Sequence, residues 1–396
     1  MKKVQVASLL IAVAVLAMAF TATPTAANPA TRFESLNTYL TDRYDTAEGG
    51  YNFDGEGTSR IEATYSAALL WDAIGYLDAR PPTVDLVKMA NFTQKVQWTS
   101  VGETNERYGG FGSFIAGLVS VESTHKAIAL WRIVSAQSGI PNLDDIEINE
   151  TAALVFINKT QTTSGGFSNE IGGNADIVST YLALDLIALL ASETPWTLDS
   201  LLLNKTATIM WILDCSEGDA YKLSPESTTA GVTPSAAALL SLEFLDALPS
   251  AAAIQSTKNW ILDRQDLDSE VIEMIGGFEE GILTNDTNLL STYYALKAMD
   301  LLNAMEDVNE TVTQFVLNCQ SFDGAWANAP GFEVGYIQLI ADAMNCLTLL
   351  EENHLTVLSV AHPGTPSVPL IDWRLLFVAL FIIAALIVGL IALRLD

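Results

Sequence analysis

From Phe33 to Glu352 the chain repeats one pattern of apolar and polar positions: a helix with a polar face, a Gly-rich turn, a polar loop, then a helix apolar on nearly every side. The third unit is the clearest. Asn149 to Gln161 predicts the first helix, Gly165-Gly166-Phe167 the turn, and Asp176 to Leu190 the second helix. A helix apolar all round has to be buried on both faces. The parallel stretches are Glu62 to Leu77, Glu122 to Val134, Thr233 to Leu245, Asp286 to Leu302 and Glu333 to Leu350.

The turns carry the register of the repeat. Gly49-Gly50-Tyr51, Gly109-Gly110-Phe111, Gly165-Gly166-Phe167 and Gly276-Gly277-Phe278 are clear, and Gly218-Asp219-Ala220-Tyr221 and Gly324-Ala325-Trp326 are degraded copies. Six units of roughly 50 residues result. A glycine after a helix supplies positive φ and ends it, so the motif is structural punctuation and not a phosphate loop. Six Asn-x-Thr sequons occur, at Asn91, Asn149, Asn158, Asn204, Asn285 and Asn309. All but Asn285 lie in first helices or at their starts. Glycans need solvent, so first helices are expected outside and second helices inside. The expectation is an all-α, α6/α6 toroid of six hairpins. Neither terminal unit shows a polar capping helix, which favours closure over an open solenoid.

The two ends lie outside this pattern. Lys2 and Lys3 precede an apolar run to Phe20 and small residues through Ala27, the layout of a secretory signal over residues 1–27. The body is expected over 28–352, a Pro-containing linker over 353–369, and one transmembrane helix over 370–394 with a tail of 395–396. The apolar run Leu375 to Leu393 spans roughly 28 Å at a rise of about 1.5 Å, close to the thickness of a bilayer core. Trp373, Arg374 and Arg394 flank it as interface anchors. These signals predict a single-pass protein of the cell membrane with a glycosylated, extracellular N-terminal domain.

Composition narrows the partners. Lys plus Arg total 19 against 47 Asp plus Glu, a net charge of −28. Such a surface repels phosphate backbones, so no nucleic acid partner is expected. The three cysteines, Cys215, Cys319 and Cys346, form no Cys-x-x-Cys pair, and there are three histidines. No metal or cofactor is expected from that inventory. The cysteines read as small buried hydrophobes, or Cys319 and Cys346 pair as a disulfide within the last hairpin.

At Gln161 to Phe167 and Asp176 to Leu184 the sequence resembles the repeat of protein prenyltransferase β subunits. Gln320 to Trp326 resembles the Gln-to-Trp repeat of squalene and other triterpene cyclases, with Trp260 to Phe278 a stretched version built on Gln265. The resemblance covers about Phe33 to Glu352 and implies an α/α toroid. It does not carry the catalytic motifs with it. The Asp, Cys and His zinc ligands of the prenyltransferases have no counterpart before an inner helix. Where those enzymes hold a diphosphate with Lys and Arg, this chain has Ser168-Asn169-Glu170 and Glu279-Glu280. The Asp-x-Asp-Asp acid motif of cyclases is absent.

The remaining candidates sit at the starts of inner helices. Glu62, Glu122, Asp176, Asp286 and Glu333 open five of them, favourable at a helix N-terminus and positioned to ring one mouth of the barrel. Tyr65, Tyr181, Tyr293 and Tyr294 follow within two turns, as core packing or as the lining of an apolar cavity. His125 lies one turn after Glu122 and forms with it a candidate acid–base pair, Asp176 being the third catalytic candidate. The expected function is an anchored, non-catalytic toroid binding a lipid, a hydrophobic small molecule or a protein. The alternative is a divergent isoprenoid-processing enzyme of the prenyltransferase or terpene-cyclase type.

Overall fold

The computed structural model describes residues 31–360 and 362, apart from 56, 80–83, 192–197 and 282–283. The expected signal segment and transmembrane helix lie outside these residues. Among the described residues no helix is long and apolar enough to cross a membrane. Arg32–Val360 forms one compact unit, and the description that follows concerns it alone.

Six helical hairpins follow one another. Outer α1 (Arg32–Thr41) leads to inner α2 (Ile61–Ala73), which a short α3 (Tyr76–Ala79) extends. Outer α4 (Leu86–Lys95) leads to inner α5 (Val121–Ser135), and outer α6 (Glu150–Thr160) to inner α7 (Ile177–Ala191). After the short α8 (Leu198–Leu201), outer α9 (Lys205–Asp214) leads to inner α10 (Val232–Phe244). Outer α11 (Ala251–Leu262) leads to inner α12 (Leu289–Leu301), and outer α13 (Thr311–Asn318) to inner α14 (Leu339–Leu349). Each inner helix packs on the next, and α14 returns to α2. The ring is therefore closed, as expected.

The expected all-α chain also contains short strands. In the fourth hairpin β1 (Ser216–Glu217), β2 (Ala220–Lys222) and β3 (Ala230–Gly231) form an antiparallel sheet; in the fifth, β4 (Phe278–Gly281) pairs with β5 (Thr284–Asn288). These two loops are long enough to fold back on themselves. As a result α12 starts at Leu289, capped by the Asn288 side chain, and not at Asp286. The sixth inner helix starts at Leu339, well after Glu333, because Tyr336 first bridges back to Trp326.

One hydrogen-bond device recurs. The backbone N–H of the motif aromatic donates to a hydroxyl on the inner helix: Tyr51 to Thr64, Phe111 to Thr124, Phe167 to Thr180, Tyr221 to Ser235 and Phe278 to Thr292. The ring is thereby held in the core, where Tyr51, Phe111, Phe167, Phe278 and Trp326 are fully buried. Each such burial contributes roughly 2–3 kcal/mol. A second device ties neighbouring hairpins. Gln97, Gln161, Gln265 and Gln320 each donate both to a carbonyl of their own turn and to one at the start of the next outer helix, Gln320 reaching Arg32 across the closure. Inner-helix N-termini are served by the next loop: the N–H groups of Ile61, Val121, Ile177 and Leu289 donate to the carbonyls of Ser113, Asn169, Leu223 and Asn328. Those donors would otherwise be orphans.

The glycines explain the intact and degraded turns. Gly109 (φ +88°) lies so close to Ala152 of α6 that a Cβ would overlap its carbonyl, and Gly324 (φ +101°) meets Ser35 of α1 in the same way. Gly218, in the degraded fourth turn, has φ +62° but open space around it.

Five of the six sequons lie on outer helices or at their starts, and three of those have an added role. Asn149 and Asn204 are N-caps whose side chains accept from Ala152 and Ala207, and the Asn309 side chain accepts from Thr311. Asn91 and Asn158 lie within α4 and α6, and Asn285 lies in β5. The first residues of the span expected as a linker, 353–358, are folded onto the body. Asn353 caps α15 (His354–Leu358), which packs on α1 and α14 and buries Leu358. The cysteines are free and buried, so the Cys319–Cys346 disulfide is not formed. Cys319 caps the C-terminus of α13, and Cys346 sits inside α14, each sealed in the core.

Candidate functional site

Charged and hydroxyl groups from the first three turns of five of the six inner helices converge. Glu62 and Tyr65 come from α2; Glu122, His125 and Lys126 from α5; Tyr181 and Asp185 from α7; Tyr293, Tyr294 and Lys297 from α12; Asp342 and Asn345 from α14. His125 Nε2 lies 2.7 Å from Asp185 Oδ2, and Lys126 Nζ lies 2.7 Å from Glu122 Oε1. Lys297 donates to the Tyr181 hydroxyl, and Asn345 donates to that of Tyr293. Lys126, Asp185, Lys297 and Asp342 are surrounded by protein yet retain some accessible surface, as side chains facing an internal chamber do.

The chamber pushes its acids apart. Burial raises the Asp342 carboxyl to about 6, against the partial opposition of Lys126. Asp185 is also desolvated, but the His125 hydrogen bond and charge outweigh this and hold it below the usual carboxylate range. Lys126 loses solvation, but Glu122 more than compensates and keeps it an ammonium. Lys297 has no such partner, and burial lowers its pKa. Desolvation raises Tyr65, Tyr181, Tyr293 and Tyr294, and the nearby carboxylates add to the rise. Carboxyl groups driven in opposite directions inside one site are the arrangement that general acid and base chemistry uses.

Of the sequence candidates, Glu62, Tyr65, Glu122, His125, Tyr181 and Tyr293 belong to this cluster. His125 pairs with Asp185 of the next helix and not with Glu122, which turns to Lys126 one turn on. Asp176 caps α7, accepting from the Ser179 N–H and hydroxyl, and so has a structural task. Glu62 accepts from the hydroxyls of Ser113 and Ser123. Asp286 lies in β5 and Glu333 in an exposed loop, so the expected acidic ring at the helix starts is incomplete. Sequence reasoning missed Lys126, Asp185, Lys297 and Asp342. The available signal was a single charge inside an otherwise apolar helix, as in Asp185 within Leu182-Ala183-Leu184-Asp185-Leu186-Ile187.

A separate cleft of about 790 Å³ opens between the fourth and fifth hairpins, walled by Leu223, Pro234, Trp260 and Leu290. Of its two carboxylates, Glu217 and Glu280, the latter accepts from the Thr233 and Ser291 hydroxyls at 2.6 and 2.5 Å.

The closed ring of paired helices invites comparison with known families. The model of the prenyltransferase alpha-alpha toroid domain matches residues 9–215 and 198–361. The chain belongs to this family. No curated protein matches it in sequence. Among solved structures it is similar to protein geranylgeranyltransferase-I of Candida albicans in complex with GGPP, at 17% identity over 77% of this chain and 89% of that one, with a TM-score of 0.57. It is also similar to a type II terpene cyclase of Scytonema in complex with geranylgeranyl dihydroxybenzoate, at 12% identity over 80% and 96% of the two chains and a TM-score of 0.51. A glycosidase in complex with glucose gives 13% identity, 82% and 96% coverage, and 0.51. At these identities the likeness is one of fold. The zinc implied by the prenyltransferase branch of the family does not fit the residues present. Among the described residues no three His, Cys, Asp or Glu side chains gather as metal ligands, His125 is committed to Asp185, and the cysteines are sealed in the core.

Proposed function

We propose that this toroid processes an uncharged isoprenoid lipid inside its chamber, by the cyclase-type route in which positive charge develops on carbon. The observation that carries this reading is the charge balance of the chamber. Four carboxyl groups, Glu62, Glu122, Asp185 and Asp342, face two lysines, Lys126 and Lys297, among four tyrosine rings. Two unit charges at 4 Å interact by about 4 kcal/mol at an effective dielectric of 20, so a net acidic chamber opposes a diphosphate and favours a cation. Each ring face adds roughly 0.5–2 kcal/mol to a cation beside it.

The residues suit a proton-in, proton-out isomerisation. Asp342, raised to about 6, is an acid of the strength that assists opening of a carbon–oxygen bond, as in an epoxide. Its proton passes to the departing oxygen, the electron-deficient carbon is captured by an internal double bond, and a new carbon–carbon bond forms. The final cation loses a proton to His125. His125 Nε2 lies 2.7 Å from Asp185 Oδ2, whose carboxylate orients the imidazole and balances the charge it gains. A passive carrier needs an apolar chamber but not this acid–base set, so chemistry is the better reading. Anchoring through the Leu375–Leu393 run would bring the protein to the membrane in which such lipids dissolve.

The test uses purified full-length chain in detergent with an epoxidised polyprene and, separately, a prenyl diphosphate. The expected product is a cyclic isomer of unchanged mass from the epoxide, lost in Asp342→Asn. Consumption of the diphosphate, or no conversion of either substrate, would overturn the proposal.

A further inference from the structure

The two lysines of the chamber are treated differently by their surroundings. Lys126 is locked to Glu122 at 2.7 Å as an ammonium. Lys297, on the third turn of α12, donates instead to a neutral phenol, Tyr181, with its Nζ 4.8 Å from the Tyr181 ring centroid and 5.5 Å from that of Tyr293. Asp185, Asp300 and Asp342 act on it only at a distance, and burial outweighs them. An amine enclosed by aromatic rings, short of solvation and without a carboxylate in contact gives up its proton more readily than an exposed lysine and is the better nucleophile of the two lysines here. The isomerisation proposed above makes no use of it.

We propose that Lys297 is a covalent attachment point for an apolar aldehyde, held as a Schiff base inside the toroid. The Lys297 nitrogen attacks the carbonyl carbon, and the carbonyl oxygen takes up a proton to give a carbinolamine. A proton from Asp342 then lets that oxygen leave as water, and the nitrogen gives up its remaining proton as the imine forms. The balance is amine plus aldehyde to imine plus water, and no oxidant or reductant takes part. Tyr65, Tyr181, Tyr293 and Tyr294 give the chamber aromatic walls that select an unsaturated hydrocarbon chain over a polar one. The inference shares the chamber with the proposed isomerisation but none of its bond changes, so either can fail alone.

The experiment incubates the full-length chain with citral, traps any imine with borohydride, and maps the adduct by peptide mass spectrometry. The expected result is one dominant site, Lys297, carrying the mass of citral less water plus two hydrogens, while Lys126 stays unmodified. Lys297→Arg should lower total incorporation at least tenfold, and Asp342→Asn should slow it. Glyceraldehyde, a polar aldehyde, should show no preference for Lys297. Modification spread over exposed lysines with Lys297 untouched, in wild-type chain of native circular dichroism, would overturn the proposal whatever the variants do.

Discussion

Replacing Gly109 with Ala tests the physical reading of the repeat, because Gly218→Ala supplies an internal control. Both glycines have positive φ, +88° and +62°. An L-residue in that region costs roughly 1–2 kcal/mol. At Gly218 nothing lies within 4 Å of the added methyl group. The cost there is partly offset by about 0.4–1 kcal/mol from a less flexible unfolded chain. At Gly109 the methyl would overlap the Ala152 carbonyl at the start of α6, and that backbone must move. Overpacking of this kind adds typically 1–3 kcal/mol. With the same unfolded-chain offset applied to both, Gly109→Ala should lose about 1–4 kcal/mol and Gly218→Ala roughly 0–1.5 kcal/mol. Urea unfolding of both variants, followed by circular dichroism and tryptophan fluorescence, gives the difference as a shift in midpoint at constant slope. Equal losses would refute the claim that the Gly-Gly turn exists to let hairpins approach. A neutral Gly109→Ala would refute the closeness of that approach.

Other expectations follow from the same contacts. Asp342 binds its proton more tightly folded than unfolded, since its pKa rises from 3.8 to about 6. Its contribution is therefore fullest below pH 3.8 and declines by roughly 3 kcal/mol as pH rises to about 6. The stability difference between wild type and Asp342→Asn, measured by urea unfolding across that window, should fall accordingly; a flat difference would contradict the enclosure of this carboxyl. Gln97→Ala removes bonds to the Gly109 and Asn149 carbonyls and to the Asn149 N–H, and should cost about 1–3 kcal/mol. Gln255→Ala on the exposed face of α11 should stay within about 0.5 kcal/mol. Asn149→Asp keeps the helix cap and removes the glycan acceptor, whereas Asn149→Ala loses both and should cost about 1 kcal/mol. In a glycosylating host, a lower mass for Asn149→Asp at unchanged stability would separate the two roles of that residue.

The hairpins were legible because their punctuation is local. Gly165-Gly166-Phe167 marks its turn whatever surrounds it, and five of the six motif aromatics are fully buried. The chamber was harder to read. An inner helix such as α7 is apolar on every side, so periodicity does not show which face meets the axis and which meets the outer ring. Asp185 and Asp342 interrupt such helices singly, and it is closure of the ring that brings them together with Lys297. The partner of His125 lies sixty residues on in the next helix, so spacing within one helix pointed to Glu122 instead. Asn149, Asn204 and Asn309 were legible as glycan acceptors but not as caps, because Asn-x-Thr at a helix start satisfies both patterns. Glu333 and Asp286 were misplaced because the loops before α12 and α14 pair with themselves and delay the helix.

The seam of the ring has a topological consequence. The Arg32 N–H donates to the Val360 carbonyl at 2.9 Å, so the toroid begins and ends at one point. The seam is held by the same Gln-to-backbone and Gly-to-helix contacts as the joints built on Gln97, Gln161 and Gln265, through Gln320 and Gly324. No joint is therefore privileged by chain connectivity. Linking residue 360 to 32 and cutting between two other hairpins, for instance in the exposed 138–145 segment, should give a circular permutant with the same ring. The cut site would then decide where on the circumference any attached segment leaves the body.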